Sequence, residues 1–200
     1  MSKLHLIVEG DGDAQALPIL VRRILSANAL DHVQLTRPQI SGDIRKVFKR
    51  LGDFMGYGLK NACPILWVLD CDDKMEGVAG CPVRHVENLR AAIVRQEIHQ
   101  SQPVEFAFFT KEFEALFLAE QSALKDFYRL PETLVIDAGA VLRRDAKGEI
   151  SKLLDKSRAY KETTDQAKIA NRLDLARCRA VSRDYRHLED AVLRLCASPQ

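Results

Sequence analysis

The acidic residues of this 200-residue chain are spaced in a way that can do chemistry. Asp70, Asp72 and Asp73 close the apolar run Ile65-Leu-Trp-Val-Leu69. Carboxylates gathered at the end of a buried segment repel one another, so the fold gains from the gathering only when a cation sits among them. If the backbone stays extended, Asp70 and Asp72 point to the same side, roughly 6–7 Å apart. That spacing serves one Mg²⁺ or straddles a pair of ions. A solvated Asp-rich turn, common after strands, is the plain alternative. Glu9 and Asp13 bracket a second acidic loop, Glu9-Gly-Asp-Gly-Asp13, and Glu112 and Glu114 follow a third apolar run. The Gly-Asp-Gly loop lacks the P-loop lysine and the complete dinucleotide-binding fingerprint. Its own acids repel phosphate, so a cation is the better ligand.

These carboxylates need elements to position them. Ile65–Leu69 is too short for a typical helix and rich in branched and aromatic residues, which predicts a strand buried on both faces. Such strands belong to parallel or mixed sheets covered by helices, and open α/β sheets bind ligands at the carboxyl ends of their strands. Lys3–Val8 predicts a first strand, Val104–Phe109 another, and Val33–Ile40 an edge strand limited by Pro38. Helices are expected after Asp13, over Asp43–Met55, from Pro82 to Gln100, and from Tyr185 to Cys196, with Gly52–Gly58 read as a loop. Lys125–Gly148 reads as irregular, with a short strand at Thr133–Ile136. The orientation of Glu112 and Glu114 depends on their backbone. An extended segment turns both the same way, whereas a helical one splays them by about 200° and brings only one to the site.

Composition sets the outer bounds. Hydrophobic residues make up 46% and charged residues 29%, an ordinary globular balance. No apolar run approaches the roughly 18 residues of a membrane span and the N-terminus lacks a signal-peptide pattern, so no membrane association is expected. Five cysteines without a CxxC pair argue against a disulfide framework or zinc ribbon and for a reducing, cytoplasmic setting. His5, His32, His85, His99 and His187 show no zinc-ligand spacing. Residues 1–140 carry 16 basic and 19 acidic side chains, a net −3, while residues 141–200 carry 14 and 9, a net +5. We therefore divide the chain into a metal-binding α/β core, 1–140, and a basic, mostly helical extension packed on it, 141–200. An acidic head with a basic tail suits a metal site whose polyanionic substrate is gripped elsewhere.

Glu9-x3-Asp13 followed by Asp70-x-Asp72 on a later strand resembles the Toprim domain, a compact α/β sheet shared by topoisomerases, primases and a class of nucleases. Val8-Glu9-Gly10 with Asp13, then Ala16-Leu-Pro-Ile-Leu20, resembles its OLD (overcoming lysogenization defect) nuclease branch. Lys111-Glu-Phe-Glu-Ala-Leu-Phe117 is similar to the segment of small stand-alone members that carries a third acidic pair. Ser151-Lys152 and Tyr160-Lys161 resemble the basic segment that supplies an active-site lysine. The resemblance covers the chain to about residue 175.

It implies a Toprim-like fold and a DNA endonuclease dependent on Mg²⁺ or Mn²⁺, with two ions held by Glu9, Asp13, Asp70, Asp72, Glu112 and Glu114. Glu9, Asp70, Asp72 and Lys152 are then the catalytic residues, with Lys156 and Lys161 as alternative lysines. Arg143, Arg144 and Lys147 are read as holding the flanking DNA backbone. The implied partner is a separate ABC- or AAA-type ATPase of a phage-defence system, and a homo-oligomer is compatible. Two rival readings stand beside it. One is a non-catalytic Toprim module that binds DNA or regulates an ATPase. The other is a phosphatase similar to haloacid dehalogenases, with Asp70 as nucleophile.

Overall fold

The computed structural model describes residues 2–71, 81–143, 145–155 and 158–197. Asp72, Asp73, Arg144 and Lys156 lie outside the described residues. Strand β1 (Lys3–Val8) lies between β4 (Ile65–Asp70) on one side and two short strands, β2 (Gln34–Leu35) and β3 (Gln39–Ile40), on the other. Strand β5 (Val104–Phe109) adds on the far side of β4, and every pairing is parallel. The segment Val33–Ile40 is therefore two two-residue strands rather than one. Pro38 explains the break: it has no N–H for a ladder bond, and the chain re-engages β1 only at Gln39 and Ile40.

The near-continuous apolar runs of β1, β4 and β5 alternate onto two cores. Leu4, Leu6, Val8, Leu66, Val68, Ala107 and Phe109 face one of them. Ile7, Ile65, Trp67, Leu69, Phe106 and Phe108 face the other, joined by Cys71 just past the end of β4. That second core is closed by α2 (Ile44–Lys49), α3 (Leu51–Lys60) and α4 (Pro82–Arg95). The glycine-punctuated stretch from Gly52 to Gly58 is helical, not a loop. Leu51, Phe54 and Met55 supply a buried stripe that outweighs the cost of glycine in a helix. Gly58 is needed there, because a Cβ would lie 2.6 Å from Ile65 Cγ1.

The first core is covered by α1 (Asp11–Ala27), α5 (Ala115–Glu120), α6 (Ser122–Tyr128), α7 (Ala146–Lys152), α8 (Glu162–Ala170), α9 (Leu175–Val181) and α10 (Arg183–Ala197). Ile169, Ala170, Tyr185, Leu188 and Val192 belong to the same apolar cluster as Leu4 and Val8. The sequence between Lys125 and Gly148 holds the end of α6, a 3₁₀ turn at Ala138–Leu142 and the start of α7; Thr133–Ile136 is not a strand. The protein is thus an α/β fold, a parallel sheet with helices on both faces. No helix of the described residues is long and apolar enough to cross a membrane.

Candidate functional site

All three long strands run the same way, so the residues that follow them emerge at one edge of the sheet. Glu9 comes directly after β1, and Asp70 is the last residue of the neighbouring β4. The two are linked: the Asp70 backbone N–H donates to Glu9 Oε2 at 3.2 Å. The Phe113 N–H, from the turn beyond β5, donates to Asp70 Oδ1 at 3.1 Å. Asp13 sits in the first turn of α1 and accepts from the Gly10 N–H at 3.1 Å. Glu114 stands just before α5 and is 1% exposed.

Glu112 and Glu114 part company. Phe113 and Glu114 form a turn rather than a strand, and the two carboxylates leave it in different directions. Glu114 enters the cluster. Glu112 accepts from the N–H groups of Ala146 and Lys147, at 2.9 and 3.3 Å, at the start of α7. An anion at a helix N-terminus is favourably placed.

Helices α7 and α8 close the cluster. Lys147 donates to Glu162 Oε2 at 2.7 Å and lies 3.9 Å from Glu114 Oε1. The Tyr160 hydroxyl donates to Glu114 Oε1 at 2.8 Å. The Gln166 amide donates to Asp13 Oδ1 at 3.1 Å and to Glu114 Oε1 at 3.2 Å. Gly12 permits this approach, since a Cβ there would lie 2.4 Å from both Gln166 Oε1 and Glu162 Cγ. Arg23 fastens the far end of α8, donating to the Ala170 and Leu173 carbonyls.

Lys152 is outside this group. Its side chain is 68% exposed and pairs with Glu149 across one helical turn, while Arg143 pairs with Glu149 and Asp137. Lys161 contributes its backbone N–H to Asp165. The lysine among the carboxylates is Lys147, five residues upstream of Lys152 on the same short helix. Neither Gln166 nor Glu162 stood out in the sequence. Their signal is faint: two oxygen-bearing side chains four apart, on one face of a helix, just after Tyr160-Lys161.

Crowding shows in the acidities. Burial first, then repulsion from Asp13, Glu9 and Glu114, raises Asp70 well above the usual carboxylate range, against the pull of Lys147. Burial, with repulsion from Glu162, raises Asp13 to about 6, although the hydrogen bonds from Gly10 and Gln166 oppose it. Burial also raises Glu114 to about 7, against Lys147 and the Tyr160 hydrogen bond. Burial works against the Lys147 charge, but Glu114 and Glu162 outweigh it and hold the ammonium above its ordinary value.

Among the described residues, no group of three or more His, Cys, Asp or Glu side chains is arranged to hold a metal ion as it stands. The carboxylates are turned to the donors named above. The set has the chemistry a hard cation takes: Glu9, Asp13, Asp70 and Glu114 offer carboxylate oxygens, and positive charge between them would relieve the repulsion felt by Asp70.

The family model for DUF4276, a domain of unknown function, matches residues 8–193. The chain belongs to the DUF4276 family. That match runs from the end of β1 into α10 and so takes in every described element of the cluster. No curated protein matches the chain. Among solved structures, the C-terminal region of the Burkholderia pseudomallei OLD protein is similar at 15% identity and a TM-score of 0.47, covering 94% of this chain and 98% of that one. The C-terminal region of the Xanthomonas campestris pv. campestris OLD protein, phased with iodine, is similar at 14% identity and a TM-score of 0.44, covering 97% of each chain. A mercury-phased structure of that region gives 14% and 0.42, over 97% of this chain and 98% of that one.

Proposed function

We propose that this chain is a Toprim-like, divalent-cation-dependent phosphodiesterase that cleaves DNA. The observation that carries the reading is the meeting of Glu9, Asp13, Asp70 and Glu114 at the carboxyl edge of a parallel sheet, with Lys147 beside them. Asp70, Glu9, Asp13 and Glu114 would hold Mg²⁺ or Mn²⁺, with Asp72 as a further ligand from the sequence pattern. Bound there, such ions activate a water and stabilise the leaving oxygen of an in-line displacement.

The protein's own groups supply the rest. Glu9 and Asp70 are fixed by backbone N–H donors, so their direction is set by the strands and not by flexible side chains. Lys147 brings the mobile positive charge. Its ammonium can leave Glu162 for a phosphate oxygen and stabilise the charge that develops there. Lys147 therefore takes the role that the sequence pattern assigned to Lys152. Tyr160, held protonated by burial and by Glu114, fixes the Glu114 carboxylate rather than moving a proton.

From the OLD resemblance the partner is a separate ABC- or AAA-type ATPase, and the setting a defence system. The test is cleavage of plasmid and single-stranded DNA by the purified chain, with Mg²⁺, Mn²⁺ or EDTA, alone and with a neighbouring ATPase. Cation-dependent nicking that disappears in Asp70→Asn supports the reading. A phosphoenzyme trapped on Asp70 replaces it with phosphatase chemistry. DNA binding without cleavage under every condition, partner included, leaves the non-catalytic module.

A further inference from the structure

Gln166 has only half of its amide satisfied. Nε2 donates to Asp13 and Glu114 together, at 3.1 and 3.2 Å. Oε1 has no hydrogen-bond partner, although the residue is 1% exposed. It rests against the bare backbone of Gly12. Buried carbonyl oxygens are nearly always paired, so an orphan acceptor on an amide that bridges two carboxylates calls for an explanation.

The side-chain amide is nearly symmetric in shape, and a half-turn about its last torsion exchanges nitrogen and oxygen. In the orientation seen, the NH₂ group lies between two acidic oxygens and lessens their repulsion. The reversed orientation would set three oxygens from α1, α8 and the turn before α5 facing one point. Without positive charge that is unfavourable. With a divalent cation it is a conventional set of hard donors, one of them neutral.

We infer that Gln166 is a reversible oxygen ligand of the carboxylate cluster: its NH₂ bridges Asp13 and Glu114 as seen here, and its amide turns over to place Oε1 beside them when a divalent cation enters. This inference rests on the reading of the cluster as a cation site. The surroundings suit the motion. Gly12 leaves room that any Cβ would fill, while Arg23 anchors α8 through the Ala170 and Leu173 carbonyls and leaves the side chain to turn alone. The bridge also explains why a glutamine, rather than a third acid, stands between Asp13 and Glu114. It supplies a donor in one orientation and an acceptor in the other without gaining or losing a proton, which a carboxyl cannot do.

The test is calorimetric titration of the full chain with Mn²⁺ alone, for the wild type, Gln166→Leu and Gln166→Glu, with a melting curve of each in EDTA. Gln166→Leu should weaken Mn²⁺ binding at least about tenfold, in line with loss of a ligand or its support. Gln166→Glu keeps an oxygen but, once ionised, cannot donate between the acids; at pH 8 it should bind Mn²⁺ as tightly as the wild type or more so, while melting lower in EDTA. Wild-type affinity in Gln166→Leu overturns the inference. Equal loss of affinity in both variants also overturns it, leaving a purely structural bridge. Should Gln166→Leu fail to fold, Gln166→Glu decides alone: affinity kept supports the ligand role and affinity lost overturns it. A wild type that takes up no Mn²⁺ removes the cation site itself, and with it this inference.

Discussion

Lys147 and Lys152 stand on the same seven-residue helix and meet opposite surroundings. Lys147 faces inward to Glu114, Glu162 and, through them, the strand ends. Lys152 lies in a surface network with Glu149, which Arg143 and Asp137 extend. Both groups pair acids with bases, yet their acids respond in opposite directions. A hydrogen bond from Lys152, with help from Arg143, holds Glu149 below the usual carboxylate range. Around Lys147, among the described residues, one ammonium is outnumbered, and Asp13, Asp70 and Glu114 are all raised. Asp13 and Glu149 are similarly buried, so what separates the two networks is the ratio of charges, not the residue types.

The largest effect that would sharpen the contrast is Asp70→Asn. It should lower cation-dependent cleavage by a thousandfold or so, on the order of 4 kcal/mol of transition-state stabilisation. It should also abolish the rise in melting temperature with Mn²⁺, while the protein in EDTA melts no lower than wild type. A variant clearly less stable in EDTA would assign Asp70 a structural role. Next is Lys147→Ala, expected to slow cleavage by about 10²–10³-fold, as does removal of one donor to a developing charge. Lys152→Ala should cut at the wild-type rate and shift stability by no more than about 1 kcal/mol, the range of an exposed ion pair. The reverse ranking of the two lysines would break the comparison.

The pH response should differ as well. Asp13 at about 6 and Glu114 at about 7 lie above ordinary carboxylates, so the folded protein holds protons that the unfolded chain has released. The stability these two groups contribute in EDTA is then full below about pH 4, where the unfolded carboxyls are protonated too, and is lost as pH rises through 6 and 7. Saturating Mn²⁺ should flatten that decline. A melting temperature that climbs from pH 5 to pH 7.5 in EDTA would contradict the crowding of the cluster.

Two glycines give the smallest and most local contrast. Gly12→Ala forces a methyl to within 2.4 Å of Gln166 and Glu162 and should cost about 1–3 kcal/mol as overpacking, with weakened Mn²⁺ binding. Gly56→Ala, in α3, meets nothing within 4 Å and should stabilise by about 0.4–1 kcal/mol. Thermal melts of both, with and without Mn²⁺, check this pair.

The framework of the sheet was legible because its signal is local. Strands β1, β4 and β5 are runs of branched and aromatic residues, and the acids that end them are visible in the same short windows. The parting of Glu112 from Glu114 was visible only as a pair of alternatives, since it turns on whether two residues are extended or folded back. That Lys147 rather than Lys152 stands beside Glu114 is not legible in the sequence at all. Both lie in one basic helix, and which of them faces inward depends on how α7 docks against residues more than thirty positions earlier. Gln166 was invisible for the same reason in stronger form. A neutral amide in a polar helix has no meaning until α8 is laid against α1. The helix over Gly52–Gly58 is hidden in the sequence because the packing of Leu51, Phe54 and Met55 outweighs the poor helix propensity of the glycines.

The hydrogen bond from Gln166 to Asp13 joins residues 153 positions apart, and this separation bears on when the cluster comes into being. Contacts of that range form late, after loop closure and, in a chain under synthesis, after the distant segment has emerged. Glu9, Asp13, Asp70 and Glu114 are all translated at least 52 residues before Gln166. The four acids thus wait without their amide bridge while the rest of the chain is made, and a product truncated before α8 keeps their backbone N–H donors but not the bridge between Asp13 and Glu114. Completion of the cluster therefore awaits α8, so a nascent chain carries the four acids before it carries the amide that bridges them.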